Sequence, residues 1–283
     1  METKLNSKGK RFFAPAIAAG LMLAMAFTLS ACGGDGGGGG DDAPASSSSG
    51  NGSPSSSSSG GISSSSSYTP GCTAANNTQT QYCSSGTMKT YGSVTYEGQA
   101  YKTVVIGNQT WMAENLNFNA DGSRCYGDDE GNCEIYGRLY DWATAMGLEA
   151  SCNSSVCSSK IQPKHQGVCP SGWHIPSGAE WQALVDFAGG DGKAGTKLKS
   201  TSGWNAHATY GDGTDDHGFS ALPGGLGSSG GIFSYAGDSG YWWSSSENGG
   251  SNAYIRRMIY SNESAYWDYN GKSYLFSVRC LQD

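Results

Sequence analysis

The chain has 283 residues, a formal net charge of −7, only 14 % charged side chains and 44 glycines. An acidic chain with no basic stripe is a poor match for a phosphate backbone, so nucleic acid is excluded from the expected partners. Nine cysteines, in contrast, ask for an oxidising compartment.

The N-terminus points to one. Lys4, Lys8, Lys10 and Arg11 precede an apolar run from Phe12 to Leu29, and Leu29-Ser30-Ala31-Cys32 sets small residues just before a cysteine. This is the pattern of a bacterial lipoprotein signal peptide over residues 1–31, cleaved so that Cys32 becomes the acylated first residue. The alternative is a retained signal-anchor helix, because the run approaches the roughly 20 residues of a membrane span. Acyl chains contribute about 0.8 kcal/mol per buried methylene, so lipidation at Cys32 makes the membrane a partner. The expected location is the bacterial outer membrane, at the cell surface. Loss of residues 1–31 removes four basic side chains and one acidic one, leaving a formal charge of −10.

Residues 32–70 read as a disordered Gly/Ser linker. Between Ser46 and Ser67, 15 of 22 residues are serine, too little apolar surface to offset the entropy of ordering. Such a coil spans roughly 30–40 Å and lets a domain reorient above the lipid.

Eight cysteines remain after Cys32. Their spacing suggests local loops, Cys72 with Cys83, Cys125 with Cys133 and Cys152 with Cys157, which leaves Cys169 for Cys280, although an even count alone permits many connectivities. Zinc is the rival reading, but there is no Cys-x2-Cys pair and only His165, His174, His207 and His217 to help.

Residues 71–90 form a stapled lead-in and residues 91–283 the globular domain. Ser93–Tyr96 and Ala100–Ile106 flank Glu97-Gly98-Gln99, a hairpin signal, and a second turn at Gly107-Asn108-Gln109 leads into a strand at Thr110-Trp111-Met112. Leu139–Met146 places Leu139, Trp142, Ala143 and Met146 on one helical face and stops at Gly147. A second helix opens on a capping box, Ser177 to Glu180, buries Trp181, Leu184, Val185 and Ala188, and ends at Gly189-Gly190. Short strands are expected at Tyr241–Ser244, Ala253–Tyr260 and Tyr274–Cys280.

An ordered series of motifs runs through this domain. Gln109-Thr110-Trp111-Met112-Ala113-Glu114-Asn115-Leu116, Tyr136-Gly137-Arg138-Leu139-Tyr140-Asp141-Trp142, Cys169-Pro170-Ser171-Gly172-Trp173-His174-Ile175-Pro176, Glu180-Trp181, Gly218-Phe219-Ser220-Ala221-Leu222-Pro223-Gly224-Gly225, Tyr241-Trp242 with Ser244-Ser245, and Ser277-Val278-Arg279-Cys280 together resemble the Fibrobacter succinogenes major paralogous domain. That domain is in turn similar to the formylglycine-generating-enzyme (sulfatase-modifying-factor) group, through Ile175-Pro176-Ser177-x-x-Glu180-Trp181 and the terminal Val278-Arg279-Cys280. The resemblance implies an α+β, C-type-lectin-like fold: two helices, small twisted antiparallel sheets, much loop and neighbouring termini, which the Cys169–Cys280 bridge would join.

A fold hosts many functions, so the site must be argued separately. The oxidase chemistry of the related enzymes needs two reactive cysteines near the C-terminal side, and no cysteine lies between Cys169 and Cys280. A hydrolase would draw on abundant carboxylates with His174 or His217 as base, but no nucleophile–base spacing is visible, so the domain is expected to be non-catalytic. Residues 91–283 hold 8 Trp, 14 Tyr and 5 Phe, rings that suit hexose faces and protein surfaces alike. Trp204, Tyr235, Tyr266, Trp267 and Tyr269 lie outside the family motifs and are the candidate ligand-binding residues; His174 reads as a hydrogen-bonded helix-entry residue. The expected partners are polysaccharide or another cell-surface component, the alternative being a structural or protein-interaction module of the envelope. No cofactor is expected beyond a structural calcium ion, for which Asp212, Asp215 and Asp216 are the candidate ligands and Asp128-Asp129-Glu130 a second acidic turn.

Overall fold

The computed structural model describes residues 81–84 and 87–283. The signal peptide, Cys32, the Gly/Ser linker, Cys72 and the side chain of Cys83 lie outside the described residues. In chain order the strands are β1 (Gln81–Ser84), β2 (Thr87–Tyr96), β3 (Gln99–Ile106), β4 (Gln109–Met112), β5 (Leu139–Tyr140), β6 (Trp173–His174), β7 (Gly224–Gly227), β8 (Phe233–Ala236), β9 (Ser239–Glu247), β10 (Asn252–Ile259), β11 (Ala265–Gly271), β12 (Phe276–Ser277) and β13 (Leu281–Gln282). The helices are α1 (Glu130–Tyr136), α2 (Trp142–Met146), α3 (Gly178–Phe187) and α4 (Ala194–Leu198), with short 3-10 turns between them. The architecture is α+β.

Both early turns form where expected. Glu97 and Gly98 join β2 to β3 with φ of 48° and 81°, the two positive values a type I′ hairpin requires and a glycine supplies without strain. The capping box of α3 is complete: the Ser177 hydroxyl accepts from the Glu180 amide, and the Glu180 carboxylate accepts from the Ser177 amide at 2.8 Å. At its other end Gly189 N–H bonds the Asp186 carbonyl and Gly190 N–H the Val185 carbonyl, the paired pattern of a Schellman stop.

Several expectations are corrected. Leu139-Tyr140 is strand, not helix, because Leu139 pairs with Ser277 and Tyr140 with Phe276; the helix starts only after Asp141, whose carboxylate caps the Thr144 amide at 2.8 Å. Helices α1 and α4 are present besides the two expected, each too short to show a helical period. β7, β8 and β11 form in stretches that read as loop, and β2 begins before the expected boundary at residue 91.

Two sheets result. The first, in order β1-β2-β3-β4-β13-β6, is antiparallel throughout. The second, β11-β10-β9-β12-β5 with β7 and β8 attached, is mixed rather than antiparallel, since β12 and β7 each run parallel to β9. Cys125–Cys133, Cys152–Cys157 and Cys169–Cys280 are all bonded, as the spacing suggested. The last of these does not join neighbouring termini: it ties the segment before β6 to the segment before β13. The N- and C-terminal parts of the domain meet instead through β13, whose Leu281 pairs with Trp111 on one side and His174 on the other.

Strand β9 divides two apolar cores. Its consecutive Trp242 and Trp243 point to opposite faces: Trp243 packs with Tyr140, Ile255, Phe276 and Val278, and Trp242 with Trp111, Trp181, Phe219 and Met258. Each indole N–H is used, Trp243 donating to the Tyr140 carbonyl at 2.7 Å and Trp242 to Asn115 Oδ1 at 2.8 Å.

Candidate functional site

The motif residues build the interior. Arg279 is fully buried; Asn115 Oδ1 accepts from its Nε at 3.1 Å and its Nη2 at 2.8 Å, and also from Trp242 Nε1 at 2.8 Å. Phe219 and Ser220 offer backbone carbonyls to the same guanidinium, and the Phe219 ring lies 4.3 Å from it. Burial pulls the Arg279 pKa down to about 9, with Asp215 and Glu114 opposing, so the group stays charged at neutral pH. One hub thus joins four of the motifs that the sequence presents separately.

His174 is the helix-entry residue expected. Its Nδ1 lies 2.7 Å from Asp283 and its Nε2 3.0 Å from Glu180, which also closes the α3 capping box. Burial works against the imidazolium, but the two carboxylates outweigh it and raise the His174 pKa. Burial likewise opposes the Glu180 charge, and hydrogen bonds from His174 and Ser177 overcome it, taking that carboxyl from 4.5 down to about 2. The hydroxyl beside this triad, Ser177 Oγ, donates to Glu180 at 2.7 Å as part of the helix cap, and the triad's bonds join β6, α3 and the residue after β13.

Two of the three candidate calcium ligands serve nearby backbone and side-chain donors. Asp212 accepts from the Trp204 amide at 3.0 Å, and Asp215 accepts from the Ser220 amide and hydroxyl, both at 2.8 Å. Among the described residues, the groups of three or more His, Cys, Asp or Glu with converging ligand atoms contain only disulfide cysteines with one glutamate, and Asp212, Asp215 and Asp216 are not among them. The other acidic turn is used similarly: Asp128 pairs with Arg124, Asp129 caps α1, and Glu130 pairs with Arg138 at 3.1 Å.

The five aromatic candidates separate. Trp204 is 5 % exposed, donates to the Ala221 carbonyl at 3.0 Å and covers the buried Lys199 ammonium, so it is a core residue and not a ligand contact. Tyr266, Trp267 and Tyr269 stand on β11, a strand rather than a loop, and alternation sends Tyr266 to one face and Trp267 and Tyr269 to the other. Tyr235 is 55 % exposed at the bend of β8 with φ of 69°. A bulky residue in the left-handed region is an outlier that surrounding structure must hold in place.

Tyr235 overhangs a groove of about 620 Å³ on the Tyr266 face of the β9-β10-β11 sheet. Tyr241, Tyr260 and Tyr274 also line it, with Ser239, Asp238, Asn270 and the Arg257–Asp268 pair at 3.4 Å. Tyr241 and Tyr274 both stack on Phe276, with ring centroids 5.2 and 6.1 Å away, which fixes their orientation. None of the four tyrosine hydroxyls bonds another described residue, and Arg257 Nε is buried without a partner. Sequence reasoning found Tyr235 but missed Tyr241, Tyr260 and Tyr274 as site residues. Tyr241 lies within β9, whereas Tyr260 and Tyr274 lie in the turns that follow β10 and β11, where no sequence pattern marks which face they line.

These features define a disulfide-bonded α+β domain with one aromatic, mixed-polarity groove and an interior built from a fixed motif series. The chain belongs to the Fibrobacter succinogenes major domain family, whose model matches residues 104–282. No curated protein and no solved structure matches it.

Proposed function

We propose that the chain is a surface-anchored lipoprotein whose non-catalytic, C-type-lectin-like domain binds polysaccharide in the Tyr235 groove. The observation that carries this reading is the set of four tyrosine rings around one groove with every hydroxyl left unbonded by the described residues. Sugar rings offer apolar faces and hydroxyls that both donate and accept. Rigid tyrosines, serine, asparagine and a neutralised Arg–Asp pair meet both needs. Two carboxylates and one guanidinium give the groove no excess positive charge, which favours neutral over acidic glycans. The lipobox at Cys32 and the serine-rich linker support display at the outer membrane, where a large fixed partner would be met.

Retention of the full chain on cellulose, xylan and mannan columns tests the reading. Binding to at least one is expected, with Tyr235→Ala weakening it up to about tenfold, the scale of one aromatic contact. No retention on any of the three refutes it.

A further inference from the structure

Trp267 and Tyr269 lie on the sheet face opposite the groove, and that face has its own organisation. In register Tyr254 pairs with Tyr269 and Arg256 with Trp267, so the four side chains share one side of β10 and β11. Tyr254 stacks on Trp267 at 4.7 Å with planes 13° apart, and Tyr269 stands edge-on to Tyr254 at 6.5 Å. The Arg256 guanidinium lies 5.1 Å from the Trp267 ring and is itself fixed by Asp191, Gln182 and the Ala265 carbonyl at 3.0–3.1 Å. The indole is therefore held rigid, yet it is 38 % exposed, whereas the seven other tryptophans are at most 6 % exposed. Tyr269 is 56 % exposed.

The indole reaches the start of α3, where only glycine fits: a Cβ on Gly178 would sit 2.5 Å from Trp267 Cη2 and 3.4 Å from Ser246 Oγ. Ser246 opens onto a trough of about 830 Å³ lined also by Gln162, Lys164, Ser177, Ser245 and Glu247. An ordered aromatic stack thus continues into a surface of hydroxyl, amide and both charge signs. Neither the indole N–H nor the Tyr254 and Tyr269 hydroxyls bond another described residue.

We infer that this stack and trough form a second glycan-binding surface, independent of the groove and on the other side of the same sheet. Prepaid ordering of the rings lowers the cost of contact, and the interleaved donors and acceptors fit a polyhydroxylated chain better than a phosphate backbone or a membrane. The ligand class is shared with the groove and to that extent rests on that reading; the position of the site does not.

Because Trp267 alone among the tryptophans is open to solvent, its oxidation by N-bromosuccinimide reports on this surface directly. The full chain would be treated with and without β-1,4-linked hexamers of glucose, xylose or mannose, and modification read by peptide mass spectrometry. At least one hexamer should slow Trp267 oxidation severalfold in both the wild type and Tyr235→Ala. Tyr269→Ala, at a side chain more than half exposed, should raise the hexamer concentration needed by up to about tenfold. Protection by no hexamer, protection that vanishes in Tyr235→Ala, or protection indifferent to Tyr269→Ala would each overturn the inference. If Trp267 is protected while column retention ignores Tyr235→Ala, the groove reading falls and this surface stands.

Discussion

Arg279 carries its charge with no solvent around it, and every one of its partners is a neutral oxygen. Removing it strands the Phe219 and Ser220 carbonyls and leaves Asn115 Oδ1 with Trp242 as its one remaining donor, and unsatisfied buried acceptors cost about 1–3 kcal/mol each. Arg279→Met should therefore lose about 3 kcal/mol or more in urea unfolding; a loss under about 1 kcal/mol would contradict the hub. His174 makes a pH prediction of definite sign. Its folded pKa is raised, so its contribution is complete below about 6.5 and falls as pH rises through the folded value; Glu180 is depressed, so its contribution is complete above 4.5 and falls as pH drops toward about 2. His217, whose pKa burial lowers, contributes with the opposite sign as pH rises toward 6.5, so the His174 contribution is read by difference. The urea midpoint of the wild type relative to His174→Gln should fall from about pH 5.5 to about pH 7.5, below the region near 8 where burial makes Lys199 release its proton. A difference between the two proteins that does not change with pH would exclude it.

At the scale of elements, the disulfides differ in what they constrain. Cys169–Cys280 closes 111 residues and Cys152–Cys157 only five, about 5 against about 2 kcal/mol in the chain-entropy model. Alanine pairs at each bridge should reproduce that ranking in denaturant, and equal losses would count against it. Local chemistry was readable in advance wherever the local signal acts alone: the I′ turn at Glu97-Gly98, the Ser177 capping box and the close-spaced cysteines. It misled at Leu139-Tyr140, where helical spacing yields to pairing with β12, and at β7, β8 and β11, where glycines and tyrosines form strands because β9 offers an edge to β7, β7 to β8 and β10 to β11. The site was half legible. Composition pointed to Tyr235, Trp267 and Tyr269, but only strand register separates their faces, and Trp204 looked free because its burial comes from an irregular loop that folds Lys199, Ser200 and Ala221 back around it.

For the whole molecule, the two described aromatic surfaces back onto one three-stranded core, β9 to β11, so a lipid-tethered domain would present ligand contacts on both sides of a rigid layer. No helix among the described residues is long and apolar enough to cross a membrane. The tether is expected at Cys32: Cys32→Ala should move the chain from the membrane fraction to the soluble fraction, and continued membrane retention would argue for a signal anchor instead.

The placement of β13 bears on how such a chain matures. The first sheet is two fragments, β1 to β4 and the lone β6, until Leu281 is available to bridge Trp111 and His174. Contacts so remote in sequence form slowly, and a ribosome or translocation pore releasing the polypeptide from its amino end delivers the keystone after all its neighbours. Closure of the first sheet therefore waits for β13, whatever the second sheet has already formed.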